Sequence, residues 1–136
     1  MTRVVADTNV YISALNFGGA PDEVLRLARA GAFTLFISPP ILQEVEGVLA
    51  KKFKWSPTQL SDARTLIESF TTSVTPQQTI TRITADPPDN RILECAVAAK
   101  AHRIVTGDHH LRDLGKYRRI VIVSPREFLQ SKVWTP

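Results

Sequence analysis

One cysteine, Cys95, is the whole thiol content of this 136-residue chain, and its three histidines, His102, His109 and His110, form no His-x-x-x-His pair. A lone thiol closes no internal disulfide and has no metal-ligand spacing, so a disulfide scaffold and a cysteine-type zinc site are both excluded. Long apolar runs are missing as well, and none approaches the ~18 residues that a membrane span requires. Met1-Thr2-Arg3 leads directly into a short strand and lacks the apolar stretch of a secretory signal. Internal repeats, low-complexity segments and linkers are absent. These absences predict a cytoplasmic protein with no membrane segment.

What is present reads as one globular unit. A hydrophobic fraction of 43% supports a single core, and residues 1–136 are expected to form one domain. Seventeen Lys+Arg against thirteen Asp+Glu give a net charge of +4, which suits a polyanionic partner without requiring one. The basic residues are segregated. Lys51, Lys52 and Lys54 surround Phe53 and Trp55, while Arg112, Lys116, Arg118 and Arg119 crowd the last third. Cations interleaved with aromatics can hold phosphates and stack bases. The same pattern also fits a helix C-terminus, where cations favour the dipole, with both aromatic rings folded onto the core. For the rings this second reading is preferred.

Periodicity divides the chain into alternating elements. Strands are expected at Arg3–Ala6, Phe33–Ile37, Arg103–Thr106 and Ile120–Val123, with a polar, β-branched edge strand at Thr79–Ile83. Helices are expected near Pro21–Ala30, from Ser38-Pro39-Pro40 to about Lys52, and from about Asn90 to Ala101, with a short turn around His110–Leu114. Ser56-Pro57-Thr58-Gln59 and Ser124-Pro125-Arg126-Glu127 are capping boxes that open two further helices. Residues 131 to 136 are expected to fray. Because the strands are continuous apolar runs, both faces of the sheet should be covered. The fold class is therefore α/β: three α/β/α layers around a mainly parallel sheet of four or five strands.

Carboxylates carry the chemistry. Asp7 and Asp108 each close an apolar strand, and ligands of open α/β sheets bind outside the carboxyl ends of the strands. Asp89 falls on the same helical face as the buried Ile92, Ala96 and Ala99, although an acid at a helix start also serves as an N-cap. Asp86, ahead of two prolines, reads as a turn residue. At about 100° per residue, Glu44 and Glu46 flank the Ile41/Val45/Val48/Leu49 stripe on opposite sides, and periodicity does not choose between them. Four converging acids would raise one another's pKa, and a divalent cation relieves that repulsion. All-oxygen ligation selects Mg²⁺ or Mn²⁺ over Zn²⁺. The implied chemistry is metal-assisted phosphodiester hydrolysis. Cys95 reads as a small core residue, and His102 as a cap on helix-end carbonyls.

Asp7-Thr8-Asn9-Val10-Tyr11-Ile12-Ser13-Ala14-Leu15 resembles the opening motif of PIN-domain ribonucleases. The likeness is greatest to the short single-domain prokaryotic members known as toxins of toxin–antitoxin pairs, the VapC-like group. It continues through Ser38–Val45, Asp86–Glu94, Val105–Asp108 and Ile122–Leu129, in the family's order over nearly the whole chain. The resemblance implies that Asp7, Glu44, Asp89 and Asp108 are the catalytic metal-site acids, choosing Glu44 over Glu46. It makes Thr8, Asn9, Asn90 and Thr106 candidates to hydrogen-bond those carboxylates, with turn and cap bonding an equal reading for Thr8 and Asn90, and Lys51, Lys52 and Arg112 candidates to steer an RNA backbone. It also implies an RNA substrate, a homodimer and a protein antitoxin that blocks the site. One departure stands out. Many relatives carry a further acid two residues after the fourth, where this chain has His110, so a fully acidic second metal site is in doubt; the ring reads either as a donor to a phosphate or as solvent-exposed, and exposure is preferred.

Rival readings are weaker. A receiver-like phosphoacceptor domain needs an early acidic pair, and Val5-Ala6 stands where that pair would be. A phosphatase with an Asp-x-Asp nucleophile motif meets Asn9 at the second acidic position. A non-catalytic RNA-binding or interaction module with a relict site would not be expected to keep all four acids.

Overall fold

The structure, a computed structural model, describes residues 1–84 and 86–132. Trp134 and most of the tail expected to fray lie outside the described residues. Strand β1 (Arg3–Ala6) leads into helices α1 (Thr8–Asn16) and α2 (Gly19–Arg29) and then strand β2 (Thr34–Ile37). Helices α3 (Pro39–Lys51) and α4 (Pro57–Phe70) precede a two-residue strand, β3 (Thr72–Ser73). A single 3-10 turn (Pro87–Asp89) runs into α5 (Asn90–Ala99), followed by β4 (Arg103–Val105) and α6 (His109–Leu114). The chain closes with β5 (Lys116–Tyr117), β6 (Ile120–Val123) and α7 (Pro125–Ser131).

The sheet order is β3-β2-β1-β4-β6-β5, parallel throughout except for β5 against β6. The four apolar strands are those expected from sequence, and two two-residue edges bring the sheet to six. From β1 the chain winds outward to β2 and β3, then crosses back to build β4 and β6 on the other side of β1. The reversal falls between β1 and β4, where an open parallel sheet leaves a crevice at its carboxyl edge. Val4, Val5, Ala6, Ile104 and Val105 are fully buried there, beneath Leu93, Cys95, Ala96 and Ala99 of α5. Cys95 is thus a core residue, and burial pushes its thiol up to about 12.

Both capping boxes form in full, with Ser56 and Gln59, and Ser124 and Glu127, exchanging side-chain and backbone bonds of 2.8–3.2 Å. Two expectations need correction, and one helix was not expected. Helix α1 starts directly after Asp7, in a stretch to which periodicity assigned no element. Its β-branched Thr8, Val10 and Ile12 have low intrinsic helix propensity, and packing on α2 and α3 overrides it, burying Val10, Tyr11 and Ile12. Residues 79–83 form no strand. Ile80 and Ile83 are both buried, a spacing of three where a strand's alternation needs two. His102 caps no helix carbonyl; its Nδ1 accepts from the Arg3 N–H at 2.9 Å, while left-handed Lys100 closes α5 with Ala101 N–H donating to Ala96.

Side chains do for residues 79–83 what a sheet ladder would have done. The Ile80 N–H donates to Glu94 at 2.8 Å, and the Asn90 amide accepts from the Ile83 N–H and donates to the carbonyls of Ile83 and Pro87 at 2.8–3.0 Å. Removing that amide orphans buried backbone groups. Asn90→Ala is expected to lower stability in urea unfolding by about 2–4 kcal/mol and to speed hydrogen exchange at Ile83. An unchanged midpoint would show that the clasp contributes nothing.

Candidate metal centre

Asp7 follows the last residue of β1, and its N–H continues the β1–β4 ladder by donating to the Val105 carbonyl at 2.9 Å. The ladder holds the residue in extended backbone with its side chain over the crevice, 3% exposed. Thr106, fully buried just past β4, donates its hydroxyl to Asp7 Oδ2 at 2.6 Å. The same hydroxyl accepts from the Asp108 N–H at 2.9 Å. One threonine therefore ties the two strand-end acids together. Asp108 caps α6 through a 2.7 Å bond from the His110 N–H.

Asp89 arrives from the opposite side, at the end of the 3-10 turn. It caps nothing: it is 8% exposed, and its Oδ2 is buried without a hydrogen-bond partner. Asp86 heads the same turn. In a 3-10 helix residues three apart eclipse, which sets Asp86 and Asp89 on one side. One ligand atom from each of Asp86, Asp89, Asp108 and His110 lies within 4.8 Å of all the others. Asp7 and Glu44 belong to no such tight group, yet the charge of Glu44 acts on both Asp7 and Asp89. Burial first, then the neighbouring acids, pushes Asp7 up to about 6 and Asp89 up to about 7, while bonds from Thr106 and the Asn9 N–H hold Asp7 back.

The two glutamates left open by periodicity have different neighbours. Glu46 is bound by Arg64 of α4, through Nε at 3.0 Å and a second, shorter bond from Nη2. Glu44 is exposed and shares a shallow groove along α3 with Pro40, Gln43, Gly47, Val48, Lys51 and Lys52. Arg112 reaches instead toward Glu127, 3.8 Å away. Phe53 and Trp55 are half-buried against the core.

Of the four candidates to support the acids, Thr106 bonds Asp7 directly and Asn9 does so through its backbone; the Asn9 side chain is exposed. Thr8 is buried, and its hydroxyl makes no hydrogen bond. The Asn90 amide takes the turn-bonding role that sequence also allowed it, and serves the loop and not the carboxylates. Two residues were undervalued. Asp86, read as a turn acid, joins the group, and its signal was the three-residue spacing to Asp89. His110, expected in solvent, is half-buried with Nδ1 3.5 Å from Asp108 Oδ1. Its signal was the two-residue step beyond an acid that caps a helix.

A hard divalent cation fits this donor set. The ligand atoms are mostly carboxylate oxygens, one of them buried without a donor, and no lysine or arginine among the described residues is ion-paired with Asp7, Asp86, Asp89 or Asp108.

Comparison with known proteins agrees with this architecture. The PIN domain model matches residues 3–110, and the chain belongs to the PIN-domain family. It is 31% identical to the uncharacterized protein MJ1680 of Methanocaldococcus jannaschii, over 95% of this chain and 90% of that one. The fold is similar to a chain in the crystal structure of VapBC2 from Rickettsia felis bound to a DNA fragment from their promoter. That match has a TM-score of 0.65 at 16% identity, over 89% of this chain and 97% of the other.

The raised acids give the metal-free protein a defined pH response. An acid whose folded pKa exceeds its unfolded value near 3.8 binds more protons folded than unfolded between the two. Its contribution is fully present below the unfolded value and is lost as pH rises through the folded one, at about 7 for Asp89. Asp89→Asn should therefore match wild type at pH 4 and exceed it by about 2 kcal/mol at pH 8 without metal. Thermal unfolding at both pH values checks this. An equal gap at pH 4 and pH 8 would mean that Asp89 is not held against its charge.

Proposed function

We propose that the chain is a metal-dependent endoribonuclease, with Asp7, Glu44, Asp89 and Asp108 as the acids that hold Mg²⁺ or Mn²⁺. The observation that carries the reading is the buried, unpartnered Asp89 Oδ2 facing a carboxylate cluster at the switch point of a PIN-domain sheet. A bound divalent cation supplies positive charge against phosphate oxygens and lowers the pKa of water.

The chain's own residues do the rest. Thr106 and the Asn9 N–H keep Asp7 oriented, and the His110 N–H keeps Asp108 oriented, so neither carboxylate needs to reorganise when a phosphodiester arrives. Lys51 and Lys52, on the groove that holds Glu44, attract the RNA backbone and leave the bases unread. Arg112, on α6, adds charge at the other flank, where its contact with Glu127 is open to solvent.

The biological setting extends from the same family. The VapBC2 assembly of Rickettsia felis supports a toxin–antitoxin reading, in which this chain is a cytoplasmic toxin. It would act as a homodimer formed of single PIN-like domains over 1–136 and be silenced by a protein antitoxin covering the acids. The described residues contain no helix long and apolar enough to cross a membrane.

Purified protein should cut single-stranded RNA with Mg²⁺ or Mn²⁺ and stop in EDTA. Asp7→Asn and Asp108→Asn should each abolish cutting. Glu44→Gln should lose most activity, while Glu46→Gln keeps it and gives up no more than about 1 kcal/mol of stability with its part-exposed Arg64 pair. Gel assays of the variants beside urea unfolding measure both effects. Cleavage that persists in EDTA contradicts the mechanism, and an inactive Glu46→Gln reverses the reading of α3.

A further inference from the structure

The acids of the site fall into two sets. Asp7 and Glu44 act on their neighbours from a distance, whereas Asp86, Asp89, Asp108 and His110 converge to within 4.8 Å. That spread suits one ion, because opposite ligands of an octahedral Mg²⁺-sized cation stand roughly 4.2 Å apart. Two unpartnered atoms face into the group. Asp89 Oδ2 is buried without a donor, in a side chain more than nine-tenths buried. His110 Nδ1 is buried without a hydrogen bond, 3.5 Å from Asp108 Oδ1. The backbone N–H of His110 donates to Asp108 Oδ1 at 2.7 Å, which fixes the residue beside that carboxylate.

We propose that Asp86, Asp89, Asp108 and His110 form one cation seat, three carboxylates and an imidazole, that takes a first-row transition-metal dication such as Mn²⁺ in preference to Mg²⁺. The inference rests on the reading of Asp89 and Asp108 as cation ligands, and adds Asp86, His110 and a metal preference to it. An all-oxygen set serves Mg²⁺, which gives up water reluctantly and favours oxygen, whereas an imidazole nitrogen favours transition metals. The sequence supplies the nitrogen by setting His110 two residues beyond Asp108. It supplies the third carboxylate through the Asp86-Pro87-Pro88-Asp89 turn.

The test is metal binding by the full chain, free of RNA. Calorimetric titrations with Mn²⁺ alone and Mg²⁺ alone give the preference, and pulsed electron paramagnetic resonance of the Mn²⁺ complex detects a nitrogen ligand. Wild type should bind Mn²⁺ at least about tenfold tighter than Mg²⁺ and show nitrogen coupling. His110→Ala should lose the coupling and bring the two affinities together. His110→Asp should bind Mg²⁺ well and still lack coupling, and His109→Ala should match wild type. Asp86→Asn should weaken both ions. Absence of nitrogen coupling in wild type, its survival in His110→Ala, or its loss in His109→Ala overturns the seat. If Mn²⁺ binds without nitrogen coupling and the protein still cuts RNA, the seat is wrong and the nuclease reading stands. If no divalent ion binds, both fail.

Discussion

Burial of carboxylates beside one another is the constraint on which the rest of this structure turns. Asp7 and Asp89 are both buried, the charge of Asp7 raises the proton affinity of Asp89, and both feel Asp108 and Glu44. A fold that sought stability alone would not gather acids there without cations beside them. The strand ladder between β1 and β4 and the hydroxyl of Thr106 nevertheless fix two of these acids in place. Such an arrangement keeps an electrostatic cost in the metal-free protein that a bound cation would relieve. Unfavourable local chemistry of this kind, maintained by surrounding structure, is characteristic of a site and not of a scaffold.

The remaining architecture serves the approach of the third acid. Asp89 cannot come from a strand end, because its element enters the crevice from the side. A 3-10 turn carries it in, and that turn is held by Asn90 against Ile83, with Glu94 holding Ile80 one stretch earlier. Glu94 is itself buried beside Arg91, 2.7 Å away, so its charge is answered locally and does not add to the cluster. The same division separates Glu46, answered by Arg64, from Glu44, which has no such partner among the described residues. Glu46 and Glu94 are answered by arginines, whereas Asp7, Asp86, Asp89 and Asp108 are ion-paired with no lysine or arginine among the described residues.

Much of this was legible in the sequence, for local reasons. Apolar runs that stop abruptly at Asp7 and Asp108 mark both strand and edge, and the two capping boxes read directly as helix starts. What escaped depended on partners far along the chain. Residues 8–16 were assigned no element, because β-branched Thr8, Val10 and Ile12 disfavour a helix until packing on α2 and α3 decides. Residues 79–83 imitate a strand, and only the side chains of Asn90 and Glu94 show why their backbone needs no ladder. Glu44 and Glu46 were indistinguishable because the deciding residue, Arg64, lies 18 positions away in α4. Asp86 and His110 were read as a turn acid and a solvent-exposed ring because their places beside Asp89 and Asp108 follow from a 3-10 turn and a helix cap, geometries that hydrophobic periodicity does not register.

If these carboxylates are kept together for a cation, crystals of the protein grown with MnCl₂ should show it in diffraction measured near the manganese absorption edge. An anomalous peak is expected at coordination distance, about 2.0–2.6 Å, from carboxylate oxygens of both Asp89 and Asp108. A map with no peak at those oxygens, and with Asp89 hydrogen-bonded to Asp7 or Asp108 as a shared proton, would contradict it.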